Sequence, residues 1–216
     1  MAGPADVEYP NVWPAETELP GFRSWMEQYW AKSHEVTLQV LSALELALEL
    51  PQDSLVSRCN GCKGEIRMNH YPATPTERLR DENVRRIWPH TDASVITLLV
   101  QDGNGGLEIE DQASPGTFEP LLLVDRSELI VNGGETLERW TNGRLLPGLH
   151  QVTVPRHFKD LTSQIVPSRH SVAYFQNANP EVSVAPLESF LSNGKTSEYK
   201  DMTSAEYLRL RNAVIY

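Results

Sequence analysis

Beyond Pro51 the sequence breaks into short runs rich in Val, Ile, Leu and Tyr, punctuated by Gly, Pro, Asn or Asp. The runs cover residues 65–71, 94–101, 106–110, 120–124, 128–132, 149–154, 171–177 and 182–185. Segments of this length and composition read as strands. So many at such short spacing predict a sandwich, jelly roll or barrel, mainly β with helices only at its flanks. Within residues 139–145 the pair Asn142-Gly143 predicts a two-residue hairpin turn with both central residues at positive φ.

The flanks follow different rules. Pro4, Pro10, Pro14 and Pro20 among polar residues make 1–20 an extended arm. From Gly21, apolar residues at Phe22, Trp25, Met26, Tyr29, Val36, Val40, Leu44 and Ala47 recur at nearly helical spacing until Pro51. This predicts one long amphipathic helix, or two joined near Ser33, with the Trp and Met stripe packed on the core. At the other end Thr203-Ser204-Ala205-Glu206 is a capping-box pattern opening a last helix. The expected organisation is an arm at 1–20, a helical region at 21–61, a core at 62–185 and a helical tail at 186–216.

A chain of 216 residues can bury one core but hardly two. The net charge of −10 argues against a phosphate backbone as partner. The richest apolar run, 40–50, is broken by Glu45 and Glu49, and the N-terminus lacks the basic start of a signal peptide. The expectation is a cytoplasmic protein with no membrane or nucleic-acid partner. Cys59 and Cys62 are read as two reduced thiols in a turn, since no second pair completes a zinc site.

The residues that carry chemistry open apolar strands. His90 and Asp92 stand two apart in extended chain, so both side chains point to one face and can reach one metal. Two imidazoles and one carboxylate on one face of iron(II) leave positions open for a co-substrate and O₂. His150, opening another apolar strand, is the best candidate for the second imidazole; His157, in a polar loop after Pro155, is its only serious rival. Arg169 and Ser171 share a face of the last long strand, and a guanidinium beside a hydroxyl makes a clamp for a carboxylate. His70 and His170 alternate away from that face, and His34 is expected to face solvent or be capped by a neighbour.

Taken together, Asn69-His70-Tyr71-Pro72, His90-Thr91-Asp92, Leu98-Leu99, Gly105-Gly106-Leu107, Val131-Asn132-Gly133-Gly134, Trp140-Thr141-Asn142-Gly143, His150 and Arg169-x-Ser171 resemble, in order, the iron(II)- and 2-oxoglutarate-dependent oxygenases related to isopenicillin N synthase. The resemblance implies a double-stranded β-helix, a jelly-roll fold. It also implies iron held by His90, Asp92 and His150, and the far carboxylate of 2-oxoglutarate held by Arg169 and Ser171. Asn69 and Tyr71 match positions lining the co-substrate pocket. The activity implied is oxidation, by default hydroxylation, of a small organic molecule in specialised metabolism, with O₂ as the other substrate.

Three features depart from the family pattern. Members usually begin with a further segment whose strands extend the major sheet, so an unpaired sheet edge and self-association through it are expected here unless residues 1–20 or a partner chain covers that edge. Gln151 stands where members have Arg directly after the distal His, and the stretch from His150 to Arg169 is long, with His157, Phe158 and Lys159 in an apparent insertion. Two alternatives therefore stand beside the favoured reading. One is an oxidase that keeps the iron triad without using 2-oxoglutarate; the other is a non-catalytic remnant or partner subunit.

Overall fold

The computed structural model describes the chain apart from residues 4–9, 62, 81–83, 124, 126, 162–163, 192–196, 198 and 216. Helix α1 (Phe22–Ala47) is followed by β1 (Gly64–Tyr71), β2 (Thr74–Pro75), α2 (Thr76–Arg80), β3 (Ile87–His90), β4 (Ile96–Gln101), β5 (Leu107–Glu110) and β6 (Phe118–Pro120). Then come β7 (Ile130–Gly133), α3 (Glu135–Trp140), β8 (His150–Val152), β9 (Ile165–Val166), β10 (Arg169–Gln176) and α4 (Ser204–Ile215). The major sheet has the order β1-β10-β4-β7 and the minor sheet β3-β8-β5-β6, with all paired neighbours antiparallel. Together they form a jelly roll, and β2 and β9 make a short separate ribbon.

Period-two alternation decides what each face of the major sheet does. Ile66, Ile96, Leu98 and Tyr174 point outward and pack with Met26, Trp30 and Leu41 of α1 in the main core. Asn69, Tyr71, Thr97, Leu99, Arg169 and Ser171, on the opposite parity, line a cavity between the sheets. Tyr71 packs there with Leu107 and Val152 of the minor sheet in a second, smaller apolar cluster. The helix thus seals one side of the sheet and leaves the other free for a ligand.

Helix α1 ends before Pro51 as expected, but its buried stripe is Met26, Trp30, Ser33, His34, Thr37, Leu41 and Glu45. Apolar periodicity does not find it, because Ser33, His34, Thr37 and Glu45, four of its seven residues, are polar and satisfied internally. Buried Glu45 accepts N–H bonds from Asp53 (3.0 Å), Leu55 (2.6 Å) and Val56 (2.9 Å), closing the turn after the helix. His34 is buried rather than facing solvent, with Nδ1 2.9 Å from Gln176 Oε1, while Trp25 is exposed.

The pair Asn142-Gly143 does lie at positive φ (51° and 78°), but it follows helix α3 instead of joining two strands. Its Gly143 N–H donates to Glu138 O at 2.9 Å, satisfying a carbonyl at the end of that helix. Residues 182–185 contribute one isolated bridge, Ser183 to Thr203, rather than a strand; of the strand expected at 120–124 only Pro120 falls in one, β6, and Val124 lies outside the described residues. The capping box forms: Thr203 N–H donates to Glu206 Oε2 at 2.8 Å and Glu206 N–H to Thr203 Oγ1 at 3.3 Å. Cys59 is a buried free thiol, and Cys62 lies outside the described residues. At the β1 edge of the major sheet, Met1 exchanges two bonds with Ile66, so the N-terminus of the arm occupies part of that edge. No helix among the described residues is long and apolar enough to cross a membrane.

Candidate active site

The site is assembled across both sheets. His90 ends β3, and His150 opens β8 at the position directly opposite in the antiparallel register. Their rings therefore lie close, with centroids 4.3 Å apart. Asp92 follows His90 by two residues, on the loop leading into β4. Its Oδ1 is 3.9 Å from Nε2 of each imidazole. His157, the rival, sits in a short turn (Arg156–Phe158) against the Phe158 ring and is not part of this cluster.

Hydrogen bonding fixes what each group offers. His90 Nδ1 lies 2.9 Å from Trp88 O, and His150 Nδ1 lies 2.9 Å from Gly148 O. A carbonyl only accepts, so both Nδ1 atoms carry the proton and both Nε2 lone pairs face Asp92. Asp92 Oδ2 accepts from Thr97 Oγ1 (2.8 Å) and Asn132 Nδ2 (3.2 Å), leaving Oδ1 turned to the imidazoles. Burial, and then the neighbouring His150, lowers the His90 pKa below the ordinary histidine value, favouring the neutral ring that a metal requires. The three ligand atoms lie within 4.8 Å of one another. Cis ligands about 2.1 Å from one first-row ion stand about 3.0 Å apart, so the observed 3.9 Å needs only a modest closing of the side chains. The donor set, its geometry and its tautomers fit a divalent metal.

A second feature of the same cavity is cationic. Register places Tyr71 opposite Arg169, and Ser171 between Asn69 and Gln101. Arg169 is 1% exposed, with Nη1 donating to Ser171 Oγ at 3.2 Å and Nη2 to Gln101 Oε1 at 2.7 Å. Its guanidinium carbon is 5.0 Å from the centroid of the Tyr71 ring. Its Nε has no hydrogen-bond partner among the described residues. Burial pulls the pKa of this guanidinium down, while Tyr71 and Asp102 act in the opposite sense. A charge held in this way is stabilised by an anion entering the cavity. Arg86 approaches the Tyr71 ring at 6.0 Å and adds to the positive potential.

Each residue singled out from the sequence, namely His90, Asp92, His150, Arg169, Ser171, Asn69 and Tyr71, lines this one cavity. Sequence reading assigned no role to Thr97, Gln101 and Asn132, which orient the charged groups. Nothing local to Asn132 announces its cross-strand partner, but Thr97 and Gln101 are buried polar residues in an otherwise apolar strand, and that was a usable signal. Gly148 is fixed by the same packing: a Cβ there would lie 2.1 Å from Asn132 Oδ1.

Comparison with known proteins agrees with this geometry. The sequence profile of the 2OG-Fe(II) oxygenase superfamily matches residues 62–178. A 2-oxoglutarate-dependent dioxygenase of Aspergillus rugulosus is 45% identical over 215 residues, covering 99% of this chain and 65% of that protein. A proline hydroxylase of Petromyces alliaceus is 42% identical, covering 97% of this chain and 65% of that protein. The chain thus spans just under two thirds of the length of these relatives. A full-length Neurospora crassa protein, solved in complex with alpha-KG and thymine, superposes with a TM-score of 0.90 at 28% identity, over 100% of this chain and 64% of that one. With the triad, the jelly roll and the profile in agreement, this chain belongs to the 2OG-Fe(II) oxygenase superfamily.

Proposed function

We propose that the chain carries the iron- and 2-oxoglutarate-binding core of an oxygenase that oxidises, by hydroxylation in the first instance, a small organic molecule of specialised metabolism. The observation that carries this reading is the sharing of one cavity by a His-Asp-His cluster suited to a divalent metal and a buried guanidinium whose side-chain hydrogen-bond partners among the described residues are neutral. A dicarboxylate has one end for each. Bound iron(II) supplies O₂ activation, and 2-oxoglutarate supplies two electrons as it loses CO₂ to become succinate.

The chain's own residues bind and orient. His90, Asp92 and His150 hold the metal, and Arg169 with Ser171 binds the far carboxylate by charge-assisted hydrogen bonds. Gln101 holds one arm of the guanidinium fork, and the Tyr71 ring packs across it. Asn69, 3.5 Å from Ser171 Oγ, is placed to orient that hydroxyl. Leu99, Leu107, Ile130 and Val152 wall the cavity with apolar surface, limiting the water that reaches the metal side. The 2-oxoglutarate dependence of the Aspergillus rugulosus relative and the superfamily match favour 2-oxoglutarate over the substrate's own carboxylate as the anion at Arg169.

The test is anaerobic addition of iron(II) and 2-oxoglutarate to the purified chain. A visible charge-transfer band that needs both additions, and succinate release on admitting air, are the expected results. A band that forms equally well in Arg169→Ala would overturn the clamp, and substrate oxidation without succinate would transfer the chain to the oxidase class.

A further inference from the structure

Between the proposed ligands His90 and Asp92 stands Thr91, whose side chain points away from the metal cluster. Its Oγ1 donates to Glu135 Oε1 at 2.5 Å. Glu135 begins α3 and is 8% exposed. The same Oε1 accepts from Arg211 Nη2 at 2.6 Å, and Oε2 accepts from Tyr207 OH at 2.5 Å. Tyr207 and Arg211 both belong to α4, one helical turn apart. A buried carboxylate thus joins the C-terminal helix to the residue between two metal ligands.

The main chain reinforces that junction. Glu135 N–H donates to Asp92 O at 2.8 Å, Gly134 N–H to Val95 O at 2.9 Å and Thr136 N–H to Ser94 O at 3.2 Å. Thr136 Oγ1 adds a bond to Ala93 O at 2.8 Å. A Cβ on Gly134 would lie 2.0 Å from Ser94 O, so the close approach of the two segments requires glycine there. The loop bearing Asp92 is therefore held by the start of α3, and the orientation of Glu135 in turn is set from α4.

We propose that Glu135 is a positioning residue for the metal cluster, and that α4 tunes metal affinity through it by way of Tyr207 and Arg211. The inference rests on the reading of His90, Asp92 and His150 as ligands. Groups that hold metal ligands in place typically account for roughly 10–100-fold in affinity. Thr91 and Tyr207 reach different oxygens of the one carboxylate and act in series: losing Thr91 disconnects the ligand loop from Glu135, losing Tyr207 leaves Arg211 alone to hold the carboxylate from α4, and losing both adds little to either loss.

Mn(II) binding to the metal-stripped full chain, followed by the loss of the free-ion EPR signal, tests this at a temperature well below melting. Thr91→Val and Tyr207→Phe keep side-chain size and remove one hydroxyl each. Each is expected to raise the Mn(II) Kd roughly tenfold, with the double variant no more than about twofold weaker than the worse single one. A helix that merely stabilises the fold would lower Tm in Tyr207→Phe and leave Kd within twofold, which overturns the coupling. Multiplicative losses in the double variant also overturn it. Wild-type chain that binds no Mn(II), or binds it as well after Asp92→Ala, defeats the ligand reading itself and the coupling with it.

Discussion

Lys159 Nζ stands 2.7 Å from Oε1 of Glu108, a carboxylate on β5 whose side chain is only 3% exposed. The other oxygen of Glu108 accepts from Gln151 Nε2 at 2.9 Å. Gln151, at the position where the family resemblance leads one to expect Arg, and Lys159, from the long loop after β8, thus share one buried carboxylate, with the positive charge supplied by the loop. Lys159→Met should leave a buried carboxylate held by one amide, destabilising the fold by roughly 1–3 kcal/mol; the half-exposed ammonium keeps the value below that of a fully buried pair. Adding Gln151→Arg to that variant should recover most of the loss. Urea unfolding of the single and double variants measures both, and a midpoint unmoved by Lys159→Met would show that the charge is solvated.

Asp92, a proposed metal ligand, is oriented by Thr97 and Asn132, which both bond the oxygen turned away from the imidazoles. Thr97→Val removes the 2.8 Å bond to Oδ2, and Gly148→Ala drives a methyl group into Asn132, the other partner of that oxygen. Each change should weaken metal binding by roughly an order of magnitude without removing a proposed ligand, Gly148→Ala the more so because Gly148 O also holds His150 Nδ1. Calorimetric titration with Co(II) reads the effect. Equal affinity in both variants would mean that Asp92 is held by its backbone alone.

Burial pushes the Cys59 thiol up to about 12 from an ordinary 9.0, with the nearby Arg58 opposing the shift. The folded chain keeps its proton through a range in which the unfolded chain releases one. Its stabilising contribution is complete below about pH 9 and is lost as pH rises from there towards 12. Melting temperature should therefore fall more steeply between about pH 9 and 10.5 in the wild type than in Cys59→Ala. Parallel slopes would show that the thiol ionises alike in both states.

Much of this site was legible because strand grammar is local. His90 with Asp92, and Arg169 with Ser171, each needed only the two-residue period to share a face. The pairing of His90 with His150 was legible as a candidate only, since register between strands so far apart in sequence is settled by tertiary packing. The orienting set is long-range for the same reason: Gln101 meets Arg169, and Asn132 meets Asp92, across strands. Asn142-Gly143 shows the opposite failure. Its backbone conformation was read correctly, but positive φ serves a helix end as well as a hairpin, and the short α3 before it has too few residues to announce itself by periodicity.

Arg169 carries the most direct test of the proposed chemistry. Its guanidinium is buried among neutral partners, with Ser171 and Gln101 each taking one arm and Nε left over. Arg169→Ala removes both the charge and the fork, so 2-oxoglutarate affinity should fall by roughly two orders of magnitude, the loss of about 3 kcal/mol expected for a charge-assisted contact in a buried site. Metal affinity should stay within a few-fold, because Arg169 is not bonded to any of His90, Asp92 and His150. Arg169→Lys should recover part of the loss, since an ammonium brings charge but cannot engage Ser171, Gln101 and a carboxylate in one plane. Removing a buried charge that has no contact ion pair among the described residues should also relieve the apo fold, raising the Tm of Arg169→Ala in the absence of co-substrate while reducing the Tm gain on adding 2-oxoglutarate with Mn(II). Opposite signs for those two shifts mark a residue kept for binding at some expense of stability. A variant that melts lower without ligand and still gains fully from 2-oxoglutarate would instead make Arg169 a structural cation, and the anion would have to bind elsewhere.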